Sequence, residues 1–136
     1  MTSSTLSGNS TSGDRAAGGG ISSTFGSVSL TNSTLSGNSN SGSGASGAGG
    51  GIRTFSGSVS LTNSTLSGNS TSGRYSDGGG IRTVSGDVSL TSSTLSGNST
   101  SGTGADGGGI FTRTGCLLYT SPSPRDLSTS RMPSSA

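Results

Sequence analysis

Residues 78–98 read GGGIRTVSGDVSLTSSTLSGN, and most of this stretch returns at a nearly constant interval along the 136-residue chain. In each of three copies, the isoleucine is followed by a valine after seven residues and by an asparagine ten residues later. Only the segment between that asparagine and the next triple glycine changes length, so the period of 29 residues lengthens once to 31. A fixed period of this size is typical of a solenoid, in which each repeat stacks on its neighbours.

The segments of fixed length alternate apolar and small polar residues, as in Val88-Ser89-Leu90-Thr91. This is the period of a half-buried strand, and β-branched residues favour strands. Glycine and asparagine between these segments are typical of turns. We therefore predict an all-β parallel β-helix over residues 1–115, with about four coils of 29–31 residues and three short strands per coil. The segment of variable length, such as residues 70–77, is predicted to be a surface loop.

Stacked coils would place equivalent residues above one another at a spacing of about 4.8 Å. Four aliphatic ladders are then expected inside: Ile21, Ile52, Ile81 and Ile110; Val28, Val59 and Val88; Leu30, Leu61 and Leu90, with Met1 in register; and Leu6, Leu35, Leu66 and Leu95. A row of asparagines should bond its amides to the backbone of adjacent coils; it comprises Asn9, Asn38, Asn69 and Asn98.

The composition leaves few other ways to fold. Only 24% of the residues are hydrophobic and 27 are glycine, whereas a globular domain is about half apolar. The alternative is a disordered Gly/Ser-rich linker, but disorder does not require aliphatic residues in register over four copies.

The chain has no His, Lys or Glu, which excludes most acid–base and metal sites. It also has no apolar run long enough for a membrane span or a signal peptide.

The last residues depart from the repeat. Residues 116–126 read CLLYTSPSPRD and include the one cysteine of the chain. This string resembles the translation of a transposon-based sequencing adapter, and residues 130–136 resemble the adapter's second fixed part; a Ser/Pro linker is the alternative. We therefore predict that residues 116–136 are a non-native, disordered tail. Without them five Arg and four Asp remain, so the net charge of +2 falls to near +1 and nucleic acid is not an expected partner.

Some motifs of the loops suggest ligands only weakly. Residues 42–47 and 102–107 match GxGxxG, but neither match is predicted to join a strand to a helix, as phosphate binding requires. Asp77 and Asp106 occupy equivalent positions before the triple glycine. Calcium needs six to eight oxygen ligands, so we interpret these two residues as solvated or turn-forming aspartates.

Arg53 and Arg82 directly follow internal isoleucines in consecutive coils. Strand alternation predicts that both point outward and lie close together on a wet surface. A basic row of this kind could bind acidic glycans, although Ser22 and Phe111 interrupt it at the equivalent positions.

Hydroxyl groups form a further regular pattern. Outward residues of the second predicted strand would make ladders, namely Ser29, Ser60, Ser89, Thr31, Thr62 and Thr91. Because regular Thr arrays are typical of ice-binding solenoids, ice binding is a minor alternative function.

The string Asn-x-Ser/Thr marks glycosylation acceptors and occurs at Asn9, Asn32, Asn63, Asn69 and Asn98. Members of the internal asparagine row would point inward, where glycosylation is sterically excluded.

The strings Gly-Gly-Gly-Ile and Leu-Ser-Gly-Asn, alternating at this spacing, resemble the repeats of chlamydial polymorphic outer membrane proteins and related right-handed β-helix surface proteins of bacteria. That family's pattern is Gly-Gly-Ala-Ile with Phe-x-x-Asn. Here glycine replaces the alanine at Gly20, Gly51, Gly80 and Gly109, and leucine replaces the phenylalanine at Leu6, Leu35, Leu66 and Leu95. The resemblance covers nearly the whole chain before the tail. It implies a right-handed solenoid in a secreted or surface-exposed passenger region, often adhesive.

Repetition without a reactive constellation predicts no enzyme activity and no catalytic, cofactor-binding or metal-binding residues. We expect a structural and interaction segment of a large bacterial protein, adhesin- or passenger-like, located outside the cell or on the outer membrane surface. Host or environmental surfaces and glycans are the candidate partners, with no membrane span in this fragment. The alternative is a fragment of a carbohydrate-active β-helix enzyme, a polysaccharide lyase or hydrolase, although four dispersed aspartates do not supply its clustered acids.

Overall fold

The computed structural model describes residues 1–43 and 49–120. These residues form sixteen short strands: β1 (Thr5–Ser7), β2 (Ser10–Thr11), β3 (Ile21–Ser23), β4 (Val28–Thr31), β5 (Thr34–Ser36), β6 (Ser39–Asn40), β7 (Ile52–Ser56), β8 (Val59–Thr62), β9 (Thr65–Ser67), β10 (Ser70–Thr71), β11 (Ile81–Ser85), β12 (Val88–Thr91), β13 (Thr94–Ser96), β14 (Ser99–Thr100), β15 (Ile110–Thr114) and β16 (Leu117–Thr120). The described residues contain no helix, so the all-β prediction is confirmed.

The strands stack into four parallel sheets, and each sheet takes one strand from every turn of the chain. The first sheet is β1-β5-β9-β13, the second β2-β6-β10-β14, the third β3-β7-β11-β15 and the fourth β4-β8-β12-β16. The chain therefore winds as a β-solenoid of about four turns, as the sequence predicted. The right-handed sense of the helix stays a prediction.

The prediction of three strands per coil was wrong, because each turn contains four. The additional strand has two residues, such as β6, and lies where the sequence predicted the start of the loop. Its inward residues are polar: Asn40 and Thr71 are buried in register with each other. The Asn40 Oδ1 accepts the Gly42 N–H at 2.8 Å, and the Thr71 hydroxyl donates to the Ser76 carbonyl at 2.8 Å. Hydrophobic periodicity cannot detect a strand whose inward face is polar.

The aliphatic ladders lie inside the solenoid in the predicted register. Ile52 pairs with Ile81, and Leu61 pairs with Leu90. The fully buried side chains of these ladders are Leu30, Leu35, Ile52, Val59, Leu61, Leu66, Ile81, Val88 and Leu90. Members in the outer turns, such as Leu6, are only partly buried because one neighbouring coil is missing from the described stack. The sparse aliphatic residues thus suffice for a dry interior because each is covered from above and below.

The predicted asparagine ladder is also confirmed. The Asn38 backbone N–H and side-chain Nδ2 both donate to the Asn69 Oδ1, at 3.0 Å and 2.9 Å. Asn69 donates to the Asn98 Oδ1 in the same two ways. The second hydrogen on the Asn69 Nδ2 bonds the Leu35 carbonyl at 3.0 Å. Each amide therefore satisfies backbone groups at the corner between the first and second sheets, where water is excluded.

The structure contains a second polar ladder that the sequence analysis missed. The Ser33 N–H donates to the Ser64 Oγ, and the Ser64 N–H donates to the Ser93 Oγ, both at 3.1 Å. Each of these hydroxyls donates in turn to a threonine carbonyl of its own coil. A recognisable signal was present, since a Ser-Thr-Leu string occupies the same position in every copy.

The stack continues past the boundary predicted after Gly115. Strand β16 pairs with β12, placing Leu117 opposite Val88 and Tyr119 opposite Leu90. The Tyr119 hydroxyl donates to the Ser93 carbonyl at 2.9 Å. Residues 117–120 are therefore a strand in this structure and not part of a disordered tail, because their alternation happens to match the inward positions of the coil. The remainder of the predicted tail, residues 121–136, lies outside the described residues, and its adapter origin stays a prediction.

Replacing Asn69 with alanine should lower the free energy of unfolding by about 3 kcal/mol or more, since several buried polar groups would lose their partners. The orphaned groups include the Asn38 N–H and the Leu35 carbonyl. Urea denaturation followed by circular dichroism would measure this. The matched control is Asn63→Gly, which removes an exposed asparagine at a φ of 49° that glycine adopts freely; it should change stability by about 1 kcal/mol or less. Equal losses in the two variants would contradict a structural role for the ladder.

The close approach of consecutive coils gives a second prediction. A Cβ on Gly79 would collide with the carbonyl oxygens of Ser99 and Gly108. At the equivalent position of the last turn, a Cβ on Gly108 would lie 3.4 Å from its nearest neighbour, the Asn98 carbonyl oxygen. Gly79→Ala should therefore cost about 3 kcal/mol, the upper end for overpacking, because backbone must move. Gly108→Ala should change stability by about 0.5 kcal/mol or less. Comparable melting temperatures for the two variants would show that the coils are not packed this closely.

Candidate ligand-binding face

Charged side chains gather on one side of the solenoid. The nine among the described residues lie on strands of the third sheet, in the loops that lead to it, or in the turn that leaves it: Asp14, Arg15, Arg53, Arg74, Asp77, Arg82, Asp87, Asp106 and Arg113. The other three sheets present mainly Ser and Thr outward. We call the outward residues of β7, β11 and β15, together with the loops at residues 72–80 and 101–109, the charged face.

Strand alternation sets the centre of this face. Arg82 pairs with Arg53 on one side and with Phe111 on the other, while Ser22 pairs with Arg53. The prediction that the two arginines point away from the core and lie in adjacent coils is therefore confirmed. The prediction that they lie on a wet surface was wrong, because Arg53 is 8% exposed and Arg82 is 5% exposed.

The loop before the third sheet covers these arginines. Gly78 has a φ of 70°, and a Cβ at this position would lie 2.8 Å from the Arg82 Cβ. Only glycine combines this left-handed backbone with so close an approach. Ser76 fixes the same loop from within, since its hydroxyl donates to the Gly42 carbonyl at 2.8 Å. The path of the loop is set by these contacts and not by strand alternation, so the sequence pattern did not reveal the burial of the arginines.

Asp77 joins the loop to the sheet. Its Oδ2 lies 3.7 Å from the Arg82 Nε, and its Oδ1 accepts the Asp106 N–H at 2.9 Å. Burial raises the pKa of the Asp77 carboxyl above its ordinary value of 3.8, opposed by the Asp106 N–H and by the Arg82 charge. Burial likewise lowers the pKa of the Arg82 guanidinium, although Asp77 opposes this shift. The predicted turn-forming aspartate is therefore also a link between two coils.

Aromatic rings accompany three of the arginines. The Arg82 Cζ lies 5.8 Å from the centre of the Phe111 ring, and the Arg53 Cζ lies 5.7 Å from that of Phe55. Both distances are within the range of cation–π attraction, which is worth roughly 0.5–1 kcal/mol at exposed sites and about 2 kcal/mol where the cation is desolvated. The rings extend the outward surface of the face while contributing nothing to the interior of the solenoid.

A third ring lies in the loop itself. The Arg74 Cζ is 5.5 Å from the centre of the Tyr75 ring. That ring lies over the backbone of the next coil, because a Cβ on Gly104 would be only 2.6 Å from the Tyr75 Cε1. Gly104 has a φ of 73°. A larger residue at this position would therefore displace the ring.

An open groove of roughly 280 Å³ lies across the third and fourth turns on the charged face. Its walls are Tyr75, Asp77, Arg82, Gly104, Asp106, Phe111 and Arg113. Two aromatic rings thus share a small concave site with two carboxylates and two guanidinium groups. Concave sites with aromatic walls and a few polar groups are typical of small-ligand binding. Residues Tyr75, Phe111 and Arg113 were not predicted as site residues, because they occur once each at positions where the repeats differ.

A larger cavity of about 350 Å³ lies at the end of the described stack, lined by Leu95, Asn98, Ile110 and Tyr119 among others. These four residues are in register with side chains that face the interior in the earlier coils. It therefore belongs to the solenoid core and not to a separate site.

The hydroxyl rows lie on the outer side of the fourth sheet, where Ser29, Ser60 and Ser89 are in register. Leu118 interrupts this row in the last turn. The first sheet has a more regular array, which the sequence analysis missed: Thr5, Thr34, Thr65 and Thr94 in one row, and Ser7, Ser36, Ser67 and Ser96 in the other.

The GxGxxG matches, the possible metal ligands and the glycosylation strings can also be located in the structure. The match at residues 42–47 lies partly outside the described residues, and the match at 102–107 joins strand β14 to strand β15. In the parts of the chain that the structure describes, no group of three or more His, Cys, Asp or Glu side chains could hold a metal ion. Asn69 is fully buried, which excludes glycosylation there, whereas Asn32 and Asn63 are exposed.

No protein-family description, curated protein or solved structure matches the chain. Among the described residues, no helix is long and apolar enough to cross a membrane.

The raised pKa of Asp77 predicts a pH effect on stability. Because the folded state binds this proton more tightly than the unfolded state, the contribution of Asp77 to stability falls as the pH rises from below 3.8 through its folded pKa. The free energy of unfolding of the wild type should therefore decrease relative to that of Asp77→Asn over this interval. Urea titrations of both proteins from about pH 3 to about pH 7 would measure the difference. An advantage of the wild type that grows with pH would contradict the assignment of burial as the dominant cause.

Proposed function

We propose that this chain is a structural and interaction segment of a large bacterial protein, secreted or displayed on the cell surface, with an adhesin-like role. The observation that carries the proposal is the segregation of charged side chains onto one face of a repetitive, otherwise hydroxyl-rich solenoid. A fold whose interior is fixed by stacking can vary its chemistry only outside, and extended faces of solenoids serve as binding surfaces. The bacterial and extracellular parts of the proposal rest on the resemblance of the repeats to those of surface proteins.

The alternative, a carbohydrate-active enzyme, has one specific observation in its favour. Asp77 and Asp106 line the same groove, and glycoside hydrolysis commonly uses a pair of carboxylates. However, Asp77 is engaged by the Arg82 guanidinium and by the Asp106 N–H. A carboxylate held in this way links two coils, so we favour a binding role for the groove.

Adhesion is testable with beads coated with the chain. We expect such beads to be retained under flow on surfaces coated with bacterial or plant polysaccharides or with cultured epithelial cells, and uncoated beads to be washed away. Reducing sugars in the effluent should stay at the level of the uncoated control, because binding without turnover is proposed. Release of reducing sugars that disappears in Asp106→Asn would favour the enzyme. Retention no better than that of uncoated beads on every surface would contradict an adhesive role.

A further inference from the structure

We propose that the groove between Tyr75 and Phe111 binds a ring of a neutral polysaccharide. This inference rests on the proposed interaction function and names the ligand class for the candidate site. The groove, at roughly 280 Å³, is just below the range of about 300–1,000 Å³ that is usual for small-molecule sites. It is therefore suited to a single sugar ring of a longer chain that continues along the open face.

The apolar walls match the faces of a sugar ring. A pyranose carries C–H groups on its two faces and hydroxyl groups around its edge. Phe111 is half-buried against the Arg82 guanidinium, and the Tyr75 ring is 51% exposed. Both rings line the groove and keep part of their apolar surface accessible. Stacking a C–H face on these rings removes apolar surface from water without desolvating the sugar hydroxyls.

The polar walls match the edge of a sugar ring. Each sugar hydroxyl both donates and accepts hydrogen bonds. A sugar-binding site therefore needs hydrogen-bond acceptors and donors of the protein close to each other. Asp106 provides carboxylate acceptors at the rim, and it has no ion pair within 4 Å among the described residues. Arg113 provides guanidinium donors from strand β15 and is exposed. Hydrogen bonds to charged groups are stronger than those between neutral groups.

The charge balance of the groove favours a neutral ligand over an acidic one. Two aspartates and two arginines line it, so their formal charges cancel. Arg82 already faces Asp77 at 3.7 Å and is buried. A uronic acid would bring a further negative charge to a groove in which two carboxylates already balance the two guanidinium groups. The basic row that could have bound acidic glycans is not offered to solvent, because Arg53 is also buried beneath the loops.

The groove is also held in shape before any ligand arrives. Tyr75 packs on Gly104 of the next coil and lies under Arg74. The Tyr75 N–H donates to the Thr103 carbonyl at 3.0 Å, so consecutive loops are bonded to each other. A site whose groups are fixed in advance loses less conformational entropy on binding.

Isothermal titration of the full chain tests the ligand class. The probes are three neutral oligosaccharides, cellohexaose, xylohexaose and mannohexaose, and one acidic oligomer, hexagalacturonic acid. We expect at least one neutral probe to bind more tightly than the acidic probe. Phe111→Ala should weaken that binding about tenfold, the loss of one stacked ring. Asp106→Ala should also weaken it severalfold, and this exposed change leaves the backbone bond to Asp77 in place.

Phe25→Ala is the matched control, because Phe25 is an aromatic residue of the same side of the solenoid, 82% exposed and away from the groove. Its affinity for the probe should equal that of the wild type, and circular dichroism should show that all three variants stay folded. Tighter binding of the acidic probe, absence of binding by every neutral probe, or undiminished affinity in Asp106→Ala and Phe111→Ala would each overturn the inference. If one of these results is obtained and beads coated with the chain still adhere, the proposed adhesive function stands without the neutral-sugar site. If the coated beads do not adhere either, the adhesive function and the neutral-sugar site are both contradicted.

Discussion

The fixed register between coils is the constraint on which the rest of the structure depends. Aliphatic ladders keep the interior dry, but apolar contacts are not directional and would tolerate a small slip. The asparagine ladder does not, because the Asn69 Oδ1 receives both the backbone and the side-chain N–H of Asn38. A shift of one residue would break these bonds and turn every inward side chain outward. The serine ladder at Ser33, Ser64 and Ser93 repeats this arrangement at another corner of the coil. Polar ladders therefore specify the register that the aliphatic ladders exploit.

Features that repeat along the chain could be predicted from the sequence, and features that depend on one loop could not. The ladders through Ile52, Leu61 and Asn69 follow directly from a period of 29 to 31 residues. The two-residue strands of the second sheet were not predicted because their inward residues, such as Asn40, are polar. The outward direction of Arg82 followed from alternation, but its burial depends on the path of a loop that the left-handed Gly78 directs. Strand β16 was missed because its composition, and not its alternation, departs from the repeat.

The same distinction explains where chemical variety lies. An inward position is covered by the equivalent residue of the next coil, so a change there disturbs the packing of both coils. An outward position on the third sheet is bounded by a loop of variable content, and it holds serine, arginine or phenylalanine at Ser22, Arg53, Arg82 and Phe111. Variation without loss of the fold is thus concentrated on the charged face. The candidate site falls between two turns because it needs different residues in adjacent copies, such as Tyr75 above Gly104.

Tyr75 itself shows that this difference between copies has an energetic consequence. Its φ is 57°, a left-handed conformation that costs a residue other than glycine roughly 1–2 kcal/mol. The next copy has Gly104 in the same conformation without that cost, and the first copy has Arg15 at a φ of 60°. The loop therefore keeps one backbone shape while the side chain on it changes. The Tyr75 ring on this backbone lies on Gly104 and forms a wall of the groove. The strain therefore belongs to the repeated loop, since Arg15 has it away from the groove, and in the third turn the strained residue places an aromatic ring in the wall of the candidate site.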